Sequence, residues 1–173
     1  VMKEAGTACP GAMAAIIGMD DAALADVCRD ASAQAGGLGV VCANYNSPGQ
    51  VVISGEAAAL ERAVALAKER GARRAIPLAV SIASHSPLMK HAAGEFAVAV
   101  KAAKLKPARV PVVANVTARP MTTVAAIRKE MVEQLTSPVR WTESIRYMTG
   151  QGVASFIEVG PKDVLTGLIK RIE

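Results

Sequence analysis

The 173-residue chain contains two histidines and three cysteines, the side chains best suited to proton transfer or nucleophilic attack. His85 is the most informative of them. It lies between an apolar, strand-like run and Ser86-Pro87, which has the hydroxyl and the proline typical of a helix start. Because an imidazole changes its charge at roughly pH 5–8, a histidine at the edge of a sheet is suited to accept and return a proton. His85 is therefore our candidate general base.

A general base needs a nucleophile to activate, and the sequence contains no clear one. An α/β fold would place a serine in a G-x-S-x-G turn; the nearest match, Ile53-Ser54-Gly55, is predicted to be the end of a strand. Cys9, Cys28 and Cys42 lack CxxC spacing, and we expect Cys28 and Cys42 to be small buried side chains. His91 is expected on the exposed side of a helix. No metal site is predicted, since neither histidine has acidic residues at ligand spacing.

The first part of the chain, residues 11–80, is predicted to alternate between strands and helices in the order β-α-β-β-α-β. This is the ferredoxin-like arrangement. The predicted elements are a strand Met13–Met19, a helix capped by Asp20, two strands Val40–Tyr45 and Gln50–Ser54 joined by the turn Asn46-Ser47-Pro48-Gly49, a helix Glu56–Arg70 and a strand Ala75–Val80.

The second part is predicted to alternate helices with short apolar strands, which indicates a parallel or mixed α/β sheet. The predicted elements are a helix from Pro87 to about Leu105, a strand Val110–Val116, a helix capped by Thr123, a helix beginning at Ser137-Pro138, a strand Val153–Val159 and a last helix containing Leu165, Leu168 and Ile169. These few strands make half of a sheet. We therefore expect the chain, which begins at Val1 in mid-pattern, to be a piece of a longer protein.

Composition and charge restrict the classes of partner. The chain is 51% hydrophobic and carries a net charge of +5, and no apolar run approaches the roughly 18 residues of a membrane span. Arg70, Arg73 and Arg74 cluster near the end of one predicted helix, either as a solvated surface or as a contact site for an anionic partner or a phosphate-bearing cofactor. Nucleic acid is a poor candidate, since no aromatic residues are interleaved with these charges. Unpaired cysteines favour the reducing cytoplasm.

Five motifs occur in order along the chain. They are Gly11-Ala12-Met13-Ala14-Ala15, the stretch from Asn46 to Gly55, Ser84-His85-Ser86-Pro87-Leu88-Met89, Pro138-Val139-Arg140-Trp141 and Glu158-Val159-Gly160-Pro161. Together they resemble the family of bacterial malonyl-CoA:acyl-carrier-protein transacylases, and more loosely the acyltransferase domains of fatty acid and polyketide synthases. The likeness runs from end to end of the chain and covers the C-terminal portion of the family's proteins.

The resemblance implies a fold, a reaction and partners. The fold is an α/β-hydrolase-like core with an inserted ferredoxin-like subdomain at residues 11–80, so that residues 1–10 and 81–173 form the C-terminal part of the core. The reaction implied is transfer of a malonyl group from malonyl-CoA to the phosphopantetheine thiol of acyl carrier protein, through an acyl-serine intermediate, in type II fatty acid synthesis. Coenzyme A takes part as a substrate thioester, and no permanently bound cofactor is expected.

The resemblance also implies roles in catalysis. His85 is the base, and the backbone carbonyl of Gln134 orients it, although Gln134 as an ordinary helix-end residue stays an alternative. The serine and the arginine that binds the malonyl carboxylate are expected before Val1, the arginine a few residues ahead of the stretch Met2 to Ala5. We therefore expect the chain alone to be inactive. Alternatives are a fragment of a polyketide synthase acyltransferase domain and a non-catalytic fragment that binds carrier protein.

Four further residues are candidates for substrate binding. The amide of Asn46 either faces the acyl cleft or caps its turn. Ser84 precedes the base, where acyl-group selectivity would be set, but its identity does not fix that selectivity. Arg73 and Arg74 either contact the phosphates of coenzyme A or the acidic carrier protein, or are solvated.

Overall fold

A computed structural model describes residues 10–33 and 36–173 of the chain. These residues form a mixed α/β structure with a four-stranded and a two-stranded sheet, both antiparallel. Met2 to Ala5 and Cys9 lie outside the described residues. Within the described part, no helix has the length and apolar character needed to cross a membrane.

The first part of the chain has the predicted order of elements. They are β1 (Ala12–Ile17), α1 (Asp21–Ala33), β2 (Val40–Ser47), β3 (Gln50–Gly55), α2 (Ala57–Glu69) and β4 (Arg74–Pro77). The strands lie in the order β2-β3-β1-β4, so that each helix connects two strands that are not neighbours. The register is continuous along β1, where Ala14 pairs with Ile53 of β3 on one side and with Pro77 of β4 on the other.

The main hydrophobic core lies between the two helices and one face of this sheet. In β1 the side chains of Ala14 and Ile16 belong to this core, whereas Met13 belongs to a smaller cluster with Ala43 and Val52. This alternation follows from the two-residue period of a strand. Each helix packs on the sheet with one face of small and apolar residues at helical spacing. The buried residues are Leu24, Val27 and Cys28 of α1 and Leu60, Ala63 and Ala67 of α2.

Two local signals determine where elements begin and end. The Asp20 carboxylate accepts hydrogen bonds from the backbone N–H groups of Ala22 and Ala23, at 2.9 and 3.3 Å, and so caps α1 as predicted. Between β2 and β3 the chain turns at Pro48 and Gly49, where the glycine has a φ of 69°. Asn46 lies within β2 and not in the turn, so the prediction that it belongs to the turn is wrong.

The second part contains four helices and a short hairpin. Pro87–Met89 is a 3-10 turn that leads into α3 (Lys90–Ala102), and the remaining elements are β5 (Val112–Val113), β6 (Pro120–Met121), α4 (Val124–Glu133), α5 (Trp141–Gly150) and α6 (Val164–Ile169). Thr123 caps α4 as predicted, because its hydroxyl accepts from the backbone N–H of Ala126 at 3.1 Å. Helix α3 ends before Leu105, three residues earlier than the sequence predicted.

The expected parallel or mixed sheet of the second part is not found among the described residues. The predicted strand Val110–Val116 is reduced to β5, and Val153–Val159 is extended chain outside any sheet. In that segment Ile157 and Val159 are 89% and 93% exposed. A strand needs a neighbour for its backbone N–H and C=O groups, and no described strand pairs with this segment.

Two further predicted boundaries are wrong. The predicted strand Ala75–Val80 is β4, which ends at Pro77, although the backbone N–H of Leu78 still donates to the carbonyl of Met13 at 2.9 Å. Leu78 and Val80 beyond it are 36% and 44% exposed. The apolar run that precedes His85 is therefore a loop rather than a strand.

The predicted helix at Ser137-Pro138 begins only at Trp141, because the residues before it join β2. Val139 donates its backbone N–H to the carbonyl of Ala43 at 2.8 Å and accepts from the N–H of Tyr45 at 2.9 Å. These bonds fix the segment that follows α4 against the edge of the four-stranded sheet.

Arg128 of α4 stabilises the end of α3, and we predict that the substitution Arg128→Met destabilises the fold. The guanidinium donates to the carbonyls of Lys101 at 3.1 Å and Ala103 at 2.7 Å, and also to the carbonyl of Val100. Carbonyls at a helix end lack partners within the helix, and a charged donor strengthens each bond. The free energy of unfolding should fall by about 1–3 kcal/mol, measured by urea denaturation. Lys129→Met, at an exposed position of the same helix, is the control. Equal stability of the two variants would contradict this role.

Cys28 and Cys42 are both free thiols, and we predict that they differ in reactivity. Cys28 is buried as expected, whereas Cys42 is only half-buried. A hydrogen bond from the Cys28 thiol lowers the pKa of Cys42 and raises that of Cys28, and burial raises the latter further. Iodoacetamide should therefore modify Cys42 first and at lower pH, which peptide mapping would detect. The nearby Tyr45 hydroxyl also lowers the pKa of Cys42, so Tyr45→Phe should slow the reaction. Earlier labelling of Cys28 would refute this assignment.

Candidate active site

His85 lies in a tight turn immediately before the 3-10 helix. Its backbone φ is 59°, a left-handed conformation that residues other than glycine seldom adopt. The Ser86 hydroxyl donates to the carbonyl of Ala83 at 2.7 Å, and both residues are fully buried. Ser86 stands at the N-cap and Pro87 at the first position of this helix, as predicted, but the hydroxyl makes no capping bond and closes the turn instead. Such a conformation costs about 1–3 kcal/mol and persists only where the surrounding structure holds it.

The half-buried ring of His85 is held by the backbone of α4. Its Nδ1 lies 2.6 Å from the carbonyl oxygen of Gln134. Because a carbonyl oxygen only accepts, Nδ1 carries the hydrogen and donates it. In the neutral ring, Nε2 is then the acceptor. This bond gives His85 the tautomer that a general base requires.

The carbonyl that binds His85 is available because of its position in the helix. Gln134 is the residue that follows the last turn of α4, and the final carbonyls of a helix have no partner within it. The C-terminal end of a helix also carries partial negative charge. Both effects favour a ring that donates from Nδ1 toward the end of α4.

Sequence analysis missed a second set of contacts around Gln134. The Asn115 side-chain amide donates to Oε1 of Gln134 at 3.1 Å. Oε1 of Glu130 accepts from the backbone N–H of Asn115 at 2.7 Å and from that of Val116 at 3.3 Å. Glu130 is 8% exposed. The only signal in the sequence was the four-residue spacing of Glu130 and Gln134, which puts both side chains on one face of α4.

Asn46 and Ser84 are half-buried, and neither makes a side-chain hydrogen bond to His85 in the described part of the chain. Asn46 lies near the end of β2, two residues beyond Asn44, whose backbone pairs with Val139. Ser84 adjoins His85 in the turn. The structure thus places Ser84 beside His85 and does not join Asn46 to that histidine.

Arg73 and Arg74 are exposed and line a cavity of about 450 Å³ beside the β2–β3 turn. Arg171, near the C-terminal end, lines the same cavity and donates to Oε1 of Gln50 at 2.5 Å. Sequence analysis missed Arg171, because nothing in its local pattern indicates that the last helix reaches the first sheet. Three guanidinium groups around one cavity favour an anionic ligand.

The other histidine has no comparable environment. His91 is exposed on α3, as expected, and its Nδ1 lies 3.9 Å from Oε1 of Glu95 one helical turn away. Across residues 10–33 and 36–173, no three His, Cys, Asp or Glu side chains come close enough together to bind a metal ion.

The Glu158-Val159-Gly160-Pro161 motif has a local structural role. The Glu158 carboxylate accepts from the backbone N–H groups of Leu165 and Thr166 at the start of α6, at 3.1 and 2.8 Å, and from the Thr166 hydroxyl. These bonds, above all that from the backbone of Thr166, lower the pKa of Glu158. The motif thus positions α6 and lies outside the turn that holds His85.

Comparisons with known proteins agree with the resemblance read from the motifs. The acyl transferase domain family matches residues 3–172. Malonyl CoA-acyl carrier protein transacylase of Escherichia coli (strain K12) is 52% identical over 171 residues, which are 99% of this chain and 54% of that protein. The enzyme of the same name from Bacillus subtilis (strain 168) is also 52% identical, over 99% of this chain and 53% of that protein. The chain therefore spans about half the length of these curated relatives.

Solved structures show the same relation. The malonyl-CoA:acyl carrier protein transacylase of Xanthomonas oryzae superposes with a TM-score of 0.93 at 48% identity, over 99% of this chain and 54% of that one. A malonyl-transacylase solved in complex with a type II polyketide acyl-carrier protein superposes with a TM-score of 0.93 at 47% identity, again over 99% and 54% of the two chains. By sequence and by structure, the chain belongs to the acyl transferase domain family.

Proposed function

We propose that the protein containing this chain transfers a malonyl group from malonyl-CoA to the phosphopantetheine thiol of acyl carrier protein, in type II fatty acid synthesis. The hydrogen bond from His85 Nδ1 to the Gln134 carbonyl carries this proposal, because it leaves Nε2 free to accept a proton. The relatives bearing the name malonyl CoA-acyl carrier protein transacylase support the choice of substrates.

In the first half-reaction His85 activates a serine. Nε2 takes the serine proton while the serine oxygen attacks the thioester carbonyl, and the imidazolium is stabilised by the Gln134 carbonyl and the end of α4. When the tetrahedral intermediate collapses, the carbon–sulfur bond breaks. The coenzyme A sulfur leaves with the proton from Nε2, and a malonyl-serine ester remains.

The second half-reaction uses the same groups in the opposite direction. His85 Nε2 takes the proton of the phosphopantetheine thiol, whose sulfur attacks the ester carbonyl. The serine oxygen leaves and recovers the proton. No permanent cofactor takes part in either half.

The serine and the arginine that pairs with the malonyl carboxylate lie, in this proposal, outside residues 1–173. The sequence has no G-x-S-x-G turn, and the relatives are nearly twice as long as the chain. The exposed apolar side chains of residues 153–159 support a further layer of core that covers them. The chain alone is then inactive, although it supplies the base.

Residues 11–80 are assigned here to a ferredoxin-like subdomain inserted in an α/β-hydrolase-like core, of which residues 1–10 and 81–173 form the C-terminal part. The strand order β2-β3-β1-β4 with two helices on one face supports the first assignment. The free thiols of Cys28 and Cys42 fit a reaction in the reducing cytoplasm.

Two alternatives are tested with the same protein. The relative solved with a type II polyketide carrier protein favours a polyketide carrier as the acceptor. A non-catalytic role in binding carrier protein is the other. Comparing the rates of transfer to fatty acid and to polyketide carrier proteins tests whether the acceptor is a polyketide carrier. Formation of the malonyl-enzyme would exclude the non-catalytic role.

The substitution His85→Ala in the full-length protein should slow formation of the malonyl-enzyme by about 10²- to 10⁴-fold, the usual contribution of a general base. Incubation with malonyl-CoA followed by intact-mass analysis measures the adduct. His91→Ala is the matched control, because His91 is exposed on α3, where its Nδ1 lies 3.9 Å from Oε1 of Glu95; this variant should label at the wild-type rate.

Residues 1–173 alone should gain no malonyl group in this assay. Stable labelling of that chain would contradict the assignment of the nucleophile, and wild-type labelling of His85→Ala would refute the base.

Replacing both Arg73 and Arg74 by alanine should raise KM on the order of tenfold for the substrate whose anionic groups they contact, and leave kcat unchanged. The effect should shrink as salt is added. Measuring KM separately for malonyl-CoA and for carrier protein identifies the ligand. Arg29→Ala removes an exposed arginine that pairs with Asp26 and serves as the control. If KM for both substrates stays at the wild-type value, the two arginines are only a solvated surface.

A further inference from the structure

Gln134 is held at both of its polar ends. Its backbone carbonyl accepts from His85 Nδ1 at 2.6 Å, and its side-chain Oε1 accepts from Asn115 Nδ2 at 3.1 Å. Any residue supplies a backbone carbonyl, so the residue type alone offers no reason for a glutamine at this position. The structure supplies one: the side chain anchors the same peptide unit whose carbonyl orients the base.

Asn115 is in turn fixed through its backbone on both sides. Its N–H donates to Oε1 of Glu130 at 2.7 Å, and its carbonyl accepts from the N–H of Arg140 at 2.9 Å. Arg140 begins α5, one residue after Val139, which is bonded to β2. Asn115 therefore connects three elements of the fold: α4, the start of α5 and, through Val139, the edge of the four-stranded sheet.

Glu130 holds the turn that presents Asn115. Its buried carboxylate receives the N–H groups of Asn115 and Val116, and the turn continues to Ala118, which has a φ of 52° and is fully buried. A buried carboxylate requires such donors, because an unpaired one is costly. The side chain thus fixes a strained turn relative to the last turns of α4.

We propose that Asn115 and Glu130 are positioning residues of the acyl transfer reaction, which fix the peptide carbonyl of Gln134 and through it the ring of His85. The expected effect on kcat rests on the proposed function, whereas the expected effect on the orientation of His85 does not. Neither residue touches the substrate. Both act by preventing the end of α4 from fraying, which would leave His85 free to turn and to exchange its tautomer.

The test uses the full-length protein with ¹⁵N-labelled histidine and two variants, Asn115→Ala and the nearly isosteric Gln134→Met. Each removes the same side-chain contact, and both keep a backbone carbonyl at position 134 that His85 can bind. The expected result is loss of the slowly exchanging Nδ1–H signal of His85. We also expect a fall in kcat of about 10- to 100-fold, as for a slightly misplaced catalytic group, with KM within about twofold of wild type.

Two comparisons separate positioning from general destabilisation. The double variant, Asn115→Ala with Gln134→Met, should lose no more kcat and no more Nδ1–H signal than either single variant, because the two residues share one contact. Glu133→Gln changes a half-buried neighbour that pairs with Lys129 on the surface of α4, and it should leave both the NMR signal and kcat unchanged. Glu130→Gln keeps the shape of the side chain but removes its charge. Like Asn115→Ala, it should weaken the Nδ1–H signal of His85.

An unchanged Nδ1–H signal in Asn115→Ala and Gln134→Met would overturn the inference, and so would an equal loss in Glu133→Gln. Failure of the proposed function has a different signature. In that case the wild-type protein transfers no malonyl group, while the NMR signal of His85 still depends on Asn115.

Discussion

The hydrogen bond from the His85 ring to the carbonyl of Gln134 joins two segments that lie 49 residues apart in the chain. On one side is a turn in a left-handed conformation that a histidine adopts only under constraint. On the other is the end of α4, whose last carbonyls have no partners within the helix. The bond meets both requirements, because it gives the ring a fixed orientation and the carbonyl a donor. It also determines which nitrogen can act as a base.

Other contacts of the second part hold the His85 turn and the end of α4 in position relative to each other. Arg128 fastens α4 to the end of α3, the helix that follows the His85 turn. Val139 bonds the segment after α4 to β2. The four-stranded sheet therefore serves as the rigid support, and the catalytic geometry depends on contacts between elements far apart in sequence. A substitution that removes any of these contacts should shift α4 and so change the orientation of the His85 ring.

Local patterns in the sequence were sufficient to predict the first part of the fold. The alternating strands, the Asp20 cap and the glycine in the β2–β3 turn are all determined by neighbouring residues. The segment Val153–Val159 was predicted wrongly because an apolar run indicates a strand only if another strand pairs with it. At the site, a motif contained His85 and the family resemblance pointed to the carbonyl of Gln134, and the structure brings these two groups within 2.6 Å of each other. The motifs could not identify Asn115, Glu130 or Arg171, whose roles arise only from tertiary contacts.

A crystal structure of the full-length protein, at a resolution that reveals hydrogens, would test the central claim most directly. We predict a hydrogen on Nδ1 of His85, directed at the Gln134 carbonyl, and Nε2 within hydrogen-bond reach of a serine hydroxyl, about 2.6–3.2 Å away. A ring that has turned from Gln134, or one that carries its hydrogen on Nε2 with no serine nearby, would contradict the account.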